Sequence, residues 1–273
     1  SDLFTNNPAS RMGLVRVANW FNQNRGVVTV CQLVVGDLDS HKGALAEQVA
    51  EINEALAAEG QAAFGEVDIV PEFEAGLVSV VQANGFAGMQ SNTVMFGWPN
   101  DEQGLAMLLR VVRAVARIHK SAIIARLPEE TGLTSRRRID VWWGGLQRNG
   151  DLMLLLAHLL NLNAEWRQAQ VHVRTIVRTE EDREEMARRL DELVSEVRID
   201  AATDVLIKPP ERRIVHMMHD ASQAADVVFV GLNIPEPGEE LDYARRLFEL
   251  ADGFPATVVV RNSEHFAGRL ISE

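Results

Sequence analysis

The chain has 273 residues, 47% of them apolar and 24% charged, which is the composition of a folded globular protein and not of a disordered one. This length exceeds the usual size of a single hydrophobic core, so two packed domains are expected. The formal net charge of −12, from 39 acidic and 27 basic residues, argues against nucleic-acid binding, which needs a basic surface to replace phosphate counterions.

The first half of the chain alternates between helical and strand patterns. Apolar residues recur at helical spacing in four segments, residues 10–23, 42–58, 74–83 and 104–119. Short β-branched and apolar runs predict four strands, at residues 27–35, 67–70, 93–96 and 122–127. This alternation is typical of a parallel α/β fold.

Cys31 is the only cysteine and lies inside the predicted strand 27–35. No disulfide can form within the chain, and a cysteine in such a run behaves as a small buried hydrophobe. A reducing compartment fits this usage of cysteine.

Residues 128–138 contain proline, glycine, threonine, serine and three arginines, so they predict a connection between two domains, 1–130 and 131–273. Five strands are predicted after it, at residues 139–143, 171–177, 203–207, 227–232 and 256–260. Four helices are predicted between them, at residues 151–160, 181–197, 211–224 and 240–250. Thr179, before two glutamates, predicts the capped start of the second of these helices.

The two halves resemble distant repeats of each other. Residues 92–127 and 225–260 each give a buried strand, a loop with glycine and proline, a helix and another buried strand. The second half shows five strands and the first only four. We therefore predict that the chain starts just after the first strand of its own fold, with the missing strand placed before residue 10.

No segment predicts a transmembrane helix. The most apolar stretch, residues 152–162, contains a histidine and an asparagine and is far shorter than the ~20 residues that a bilayer requires. Any membrane association is expected to come from sequence beyond this chain.

Several sequence blocks, in order along the chain, resemble a known family. They are Arg-Gly-Val-Val-Thr-Val at 25–30 with Val-Val-Gly at 34–36, Gly-Phe-Ala-Gly-Met at 85–89, Asn-Thr-Val-Met-Phe-Gly-Trp-Pro-Asn at 92–100, Ile-Asp-Val-Trp-Trp at 139–143, the leucine-rich stretch 152–160 with Trp166, Asn-Ile-Pro at 233–235 and Val-Val-Val-Arg at 258–261. Together they are similar to the carboxy-terminal domain of cation–chloride cotransporters. The Gly-Trp-Pro form is closer to the potassium–chloride branch.

This resemblance implies a fold of two stacked Rossmann-like subdomains with parallel sheets, akin to universal stress proteins. It implies a regulatory module on the cytoplasmic side of the plasma membrane, whose partners are its own transmembrane domain and a second copy in a homodimer. Ion translocation, of chloride with K⁺ and/or Na⁺, belongs to the membrane domain, so no catalysis is expected here.

Two stretches depart from the family pattern. The family's short loop ending in Asp-Gly-Gly is replaced by a longer segment, 144–148, followed by Asn149, Gly150 and Asp151. Only a helix fits between residues 207 and 227, where animal relatives insert a long segment used for phosphorylation control. Kinase regulation of that kind is therefore not expected, and a prokaryotic origin fits.

Ligands of open parallel sheets bind beyond the carboxyl ends of the strands. The residues predicted to lie there are Gly36, Asp37, Gly97, Trp98, Pro99, Asn100, Trp143, Gly144, Gly145 and Asn233. Glycines permit close approach to a phosphate, and the following helices offer free N–H groups, so ATP or AMP could bind. The chain lacks a P-loop and a Gly-x-Gly-x-x-Gly turn, so no cofactor is assigned, and the loops could equally turn tight corners or form an interface.

Three functions thus remain open: the transporter module, a stand-alone nucleotide sensor of the stress-protein type, and an α/β enzyme. His216, His219 and Asp220 share a helical face but supply too few ligands to predict a metal site. Ser91, Thr93 and His119 predict no nucleophile with a base and an orienting group. Trp142 and Trp143 alternate across a strand and are expected in the core, whereas Trp98 suits an interface. The basic clusters 136–138 and 212–213 are expected to form a solvated face, or else to contact anionic lipid or an acidic partner.

Overall fold

The computed structural model of the chain describes residues 2–4, 11–23, 25–37, 39, 44–83, 85–86, 89–90, 92–128, 136–144, 149–196 and 199–263. The chain divides into two units. Unit 1 comprises Ser1–Ala125 with Ile234–Ala244, and unit 2 comprises Arg126–Asn233 with Arg245–Glu273. The domain limits predicted from the sequence, 1–130 and 131–273, stay a prediction.

Unit 1 is built on a parallel sheet with the strand order β3-β2-β1-β6-β7. Its strands are β1 (Asp2–Phe4), β2 (Thr29–Val35), β3 (Phe64–Val70), β6 (Thr93–Gly97) and β7 (Ser121–Arg126), and a small antiparallel hairpin pairs β4 (Gly85–Phe86) with β5 (Met89–Gln90). Its helices are α1 (Met12–Asn22), α2 (Ala44–Ala58), α3 (Phe73–Ala83) and α4 (Glu102–Arg117).

The prediction that the first strand is missing is wrong. β1 lies between β2 and β6 and pairs with both in parallel, with Leu3 opposite Val30 on one side and Met95 on the other. Leu3 is fully buried. Three residues, one of them an aspartate, are too few to show a strand pattern, and only the pairing on both sides reveals the strand.

Unit 2 repeats this architecture, with the strand order β10-β9-β8-β11-β12 in a parallel sheet. Its strands are β8 (Arg138–Trp142), β9 (Gln170–Val177), β10 (Ala201–Ile207), β11 (Val227–Gly231) and β12 (Thr257–Arg261). Its helices are α5 (Asn149–Leu162), α6 (Glu180–Glu196), α7 (Ile214–Ala221) and α8 (Glu240–Asp252), with a short 3₁₀ turn at Ala164–Trp166; the first residues of α8, up to Ala244, count with unit 1.

Both sheets therefore place their strands in the order 3-2-1-4-5, counted along the chain within each unit. This common order confirms the predicted internal repeat, and it makes β1 and β8, β2 and β9, β3 and β10, β6 and β11, and β7 and β12 equivalent. The α/β fold with parallel strands is likewise confirmed.

The central strands carry the core, as their sequences predict. The middle of β6, Val94, Met95 and Phe96, is at most 3% exposed, and residues 227–229 of β11 and 257–260 of β12 are buried in the same way. Both faces of such strands are covered, so their sequences read as continuous apolar runs and not as an alternation.

Capping side chains fix two helix starts. The Asp101 carboxylate accepts a hydrogen bond of 2.7 Å from the Gly104 N–H at the start of α4. The Thr179 hydroxyl accepts one of 3.1 Å from the Asp182 N–H at the start of α6, which confirms the predicted cap. Within the described ranges, every helix is too short or too polar to cross a bilayer.

Candidate functional site

Each unit has one place where its sheet topology creates a crevice. The first and fourth strands of each unit, β1 with β6 and β8 with β11, lie side by side, and the chain leaves them toward opposite sides of the sheet. In doubly wound sheets ligands bind at this point, beyond the carboxyl ends of the strands. A cleft lies there in both units.

The unit 1 cleft has a volume of about 250 Å³. The structure brings together at its wall three predicted site residues, Gly97, Pro99 and Asn100, with Arg11 at the start of α1. Gly97 lets the Arg11 guanidinium approach the end of β6, because a Cβ at this position would force the ends of the Arg11 and Leu14 side chains to move away.

Arg11 makes this cleft receptive to an anion. No carboxylate pairs with its guanidinium in the described part of the chain, and the amino-terminal end of α4 faces the same space. Asp101 also lines the cleft, and its carboxylate already accepts the hydrogen bond that the Gly104 N–H can donate. An anion bound there would therefore rely on Arg11.

The unit 2 cleft is larger, about 370 Å³. It brings together the predicted residues Trp143, Gly144 and Asn233 at the ends of β8 and β11. Gly150, in the first turn of α5, leaves the space that the Trp143 indole occupies, because a Cβ there would collide with the six-membered ring. Gly145 and Ser91 lie outside the described residues.

Asn149, which the sequence marked only as a departure from the family loop, forms the floor of the unit 2 cleft. Its side chain is 2% exposed, and its amide donates to the Leu232 carbonyl at 2.9 Å and accepts from the Asn262 N–H at 2.9 Å. Both polar atoms of this amide thus hold the backbone after β11 and β12 in place.

A buried charge network crosses the unit 2 sheet, and sequence reasoning missed it. Asp140 is fully buried, and its carboxylate lies 2.9 Å from Arg138 Nε and 3.0 Å from Arg174 Nε. It also accepts a 2.7 Å hydrogen bond from the Ser222 hydroxyl, which in turn accepts one of 3.0 Å from the Trp142 indole N–H. The sequence feature that could have revealed the network is the aspartate inside the otherwise apolar Ile-Asp-Val-Trp-Trp strand. A carboxylate in such a strand is buried only when cations or hydrogen-bond donors contact it.

Three predicted site residues that the structure describes, Gly36, Asp37 and Trp98, are not among the residues that line the two clefts. Gly36 and Asp37 follow β2: the Gly36 N–H donates to the Val70 carbonyl, and the Asp37 carboxylate accepts from the Asp39 N–H at 3.0 Å. Trp98 follows β6, where its backbone N–H donates to Ala125 at 2.9 Å. Its proposed place in an interface stays a prediction.

The histidine cluster has structural contacts. His219 Nε2 lies 2.9 Å from the Leu250 carbonyl, and its ring meets Phe254 edge to face at 5.1 Å. Asp220 forms an ion pair with Arg212. Over the described residues, no group of three or more histidine, cysteine or carboxylate side chains could hold a metal ion.

One protein-family model and several solved structures match the chain. The model of the SLC12 family, solute carrier family 12, matches residues 113–219. The chain is similar to the crystallised cytoplasmic domain of a prokaryotic cation chloride cotransporter, with a TM-score of 0.69 and 19% identity over 96% of this chain and 94% of that one.

Two further solved structures share the fold. A universal stress protein from Archaeoglobus fulgidus has a TM-score of 0.58 and 14% identity over 97% of both chains. A putative universal stress protein from Pseudomonas aeruginosa has a TM-score of 0.56 and 11% identity over 97% of this chain and 92% of that one. The predicted resemblance to cation–chloride cotransporters and the stress-protein-like fold are both confirmed.

Proposed function

We propose that this chain is the cytoplasmic regulatory domain of a cation–chloride cotransporter, a secondary transporter that couples chloride to the movement of K⁺ and/or Na⁺. The observation that carries the proposal is the SLC12 match, which runs from α4 to α7 and includes β8 with its buried Asp140. The similarity to a prokaryotic cotransporter domain along nearly the whole chain supports it.

The domain acts mechanically and makes no chemical bonds. Its partners are its own transmembrane domain and a second copy of the chain, and changes in the arrangement of the two copies are passed to the membrane domains on the cytoplasmic side of the plasma membrane.

The reading frame that encodes this chain tests the transporter assignment. We expect it to carry roughly a dozen hydrophobic spans of ~20 residues each ahead of the chain. A frame that encodes the 273 residues alone would contradict the assignment.

Light scattering on the purified chain tests the association of two copies. The chain has a mass of 30.3 kDa, and we expect a species of twice that mass at micromolar concentration. A monomer at every concentration would remove the homodimer from the proposal and leave the transporter assignment standing.

Nucleotide sensing at the unit 1 cleft is the second candidate function, because Arg11 there has no carboxylate partner within the described chain. If AMP or ATP binds, a concentration of 100 times its Kd adds about 2.7 kcal/mol to the free energy of unfolding. A thermal-shift titration measures this, and Arg11→Gln should abolish the shift. No shift at millimolar nucleotide would contradict this function.

A further inference from the structure

The two clefts occupy equivalent positions but differ in charge. Gly97 ends β6 and Gly231 ends β11. In each unit, the residue that packs against this glycine stands at the start of the first helix of that unit. This residue is Arg11 at α1 in unit 1 and Asn149 at α5 in unit 2. The guanidinium of Arg11 thus faces the unit 1 cleft and has no carboxylate partner among the described residues. In unit 2, a neutral amide with both of its polar atoms already bonded forms the floor of the cleft.

No charged side chain lines the unit 2 cleft in the described part of the chain. A phosphate or carboxylate placed against this lining would lose its hydration without gaining a cation from it, which is unfavourable. The described lining therefore offers no cation to a nucleotide or another anion, whereas Arg11 lines the unit 1 cleft.

The lining favours a flat apolar molecule. Three methionines, Met153, Met186 and Met218, surround the space, and the Trp143 indole forms one wall. Thioether sulfurs make favourable contacts with aromatic rings, and an indole offers a face for stacking. Thr175, which is 4% exposed, also belongs to the lining.

The size and the opening fit a small ligand. A volume of about 370 Å³ lies within the range of known ligand pockets, roughly 300–1,000 Å³. Ile214 lies at the rim and is 49% exposed, which leaves an apolar side chain at the entrance.

We propose that the unit 2 cleft binds an uncharged, planar aromatic or heteroaromatic molecule between Trp143 and the methionines. This inference goes beyond the proposed function, since the cleft can serve as a binding site whether or not the chain regulates a transporter.

Titration of the whole chain with 5-fluoroindole, followed by ¹⁹F NMR, tests the proposal. We expect saturable binding of one molecule per chain, which AMP does not displace. The variant Ile214→Glu places a carboxylate at the rim and should weaken binding at least tenfold. This variant should fold, because Ile214 is half exposed and is the first residue of α7, where an acidic side chain complements the helix dipole.

Leu162→Glu is the matched control. Leu162 is 48% exposed, ends α5 and lies away from the cleft lining, so this variant should bind 5-fluoroindole as the unaltered chain does. Absence of saturable binding, equal binding by Ile214→Glu, or displacement by AMP would each overturn the proposal.

Discussion

The two units carry a buried aspartate at the same place in their sheets. In unit 1, Asp2 pairs with Val94, which stands three residues before the glycine that ends the fourth strand. In unit 2, Asp140 pairs with Val228, which stands at the same distance from the corresponding glycine, so the two aspartates are equivalent. Asp2 is 3% exposed and Asp140 is fully buried. The repeat has thus kept an acidic side chain in the first strand of each unit.

The neighbouring strand neutralises this aspartate in unit 2 only. Arg174 lies 3.0 Å from the Asp140 carboxylate and 3.2 Å from that of Asp204, so one guanidinium sits between two acids. In unit 1 the position equivalent to Arg174 is Cys31, a buried thiol. The fold is the same, but the charge balance is not.

Unit 1 draws its cation from another element. Lys120, just before β7, is 5% exposed, and its ammonium donates to the Val81 carbonyl of α3. Burial lowers the pKa of Lys120, and the charge of Asp2 partly offsets that effect. Each unit thus has a cation near the buried aspartate of its first strand, but the cation comes from a different element in the two units.

The substitution Asp140→Ala should have the largest effect. The side chain of Arg174 is only 9% exposed, and the substitution removes the carboxylate that faces it. It also removes the acceptor of the hydrogen bond from the Ser222 hydroxyl. Breaking a buried ion pair in this way costs about 3–5 kcal/mol of the free energy of unfolding. Urea denaturation, monitored by tryptophan fluorescence, measures the loss.

Asp220→Ala is the control for that experiment. Asp220 also pairs with an arginine, Arg212, but its side chain is 66% exposed, so the loss should stay below about 1 kcal/mol. Equal losses for the two variants would show that burial of the Asp140 network does not matter for stability.

Asp2→Ala should have a smaller effect than Asp140→Ala. Unit 1 has no arginine in the place of Arg174, and Lys120 keeps its bond to Val81 when the aspartate is removed. The buried ammonium of Lys120 would, however, lose the nearby negative charge of Asp2, so we expect a loss of about 1–3 kcal/mol, the usual cost of a buried polar group that is incompletely compensated. A loss as large as that of Asp140→Ala would contradict the difference between the two units.

Much of the fold could be predicted from the sequence, because apolar periodicity is a local signal. Among the described residues, the eight long helices and the parallel strands of both units, apart from β1, lie where the patterns placed them to within a few residues. The helix capped by Thr179 is an example, since the cap and the acids of its first turn are adjacent in sequence.

The polar interior could be predicted only in part. The loops at the strand ends followed from the strands themselves, so Gly97 and Trp143 were placed at the clefts. Arg11 and Asn149 were not, because their importance depends on packing over a glycine that lies more than 80 residues away in sequence. The Asp140 network likewise joins β8, β9 and the end of α7, and no local pattern reports such a contact.

The smallest predicted effect concerns Glu66, which is the unit 1 counterpart of Asp204. Partial desolvation of its carboxyl raises the pKa of Glu66 above its ordinary value of 4.5, and the nearby charges of Asp68 and Asp2 raise it further. The folded chain therefore holds the proton on Glu66 more tightly than the unfolded chain does. This group's contribution to stability is complete below pH 4.5 and is lost as the pH rises through the raised pKa.

Glu66→Gln should remove that loss. Because Glu66 is exposed to solvent, we expect a gain of less than about 1 kcal/mol at pH 7 and none at about pH 4. The difference in Tm between the variant and the unaltered chain, measured at both pH values, gives the answer. Glu51→Gln, on the exposed face of α2, is the control and should change Tm at neither pH. A gain that persists at pH 4 would mean that the glutamine packs better and that the missing cation in β2 has no electrostatic consequence.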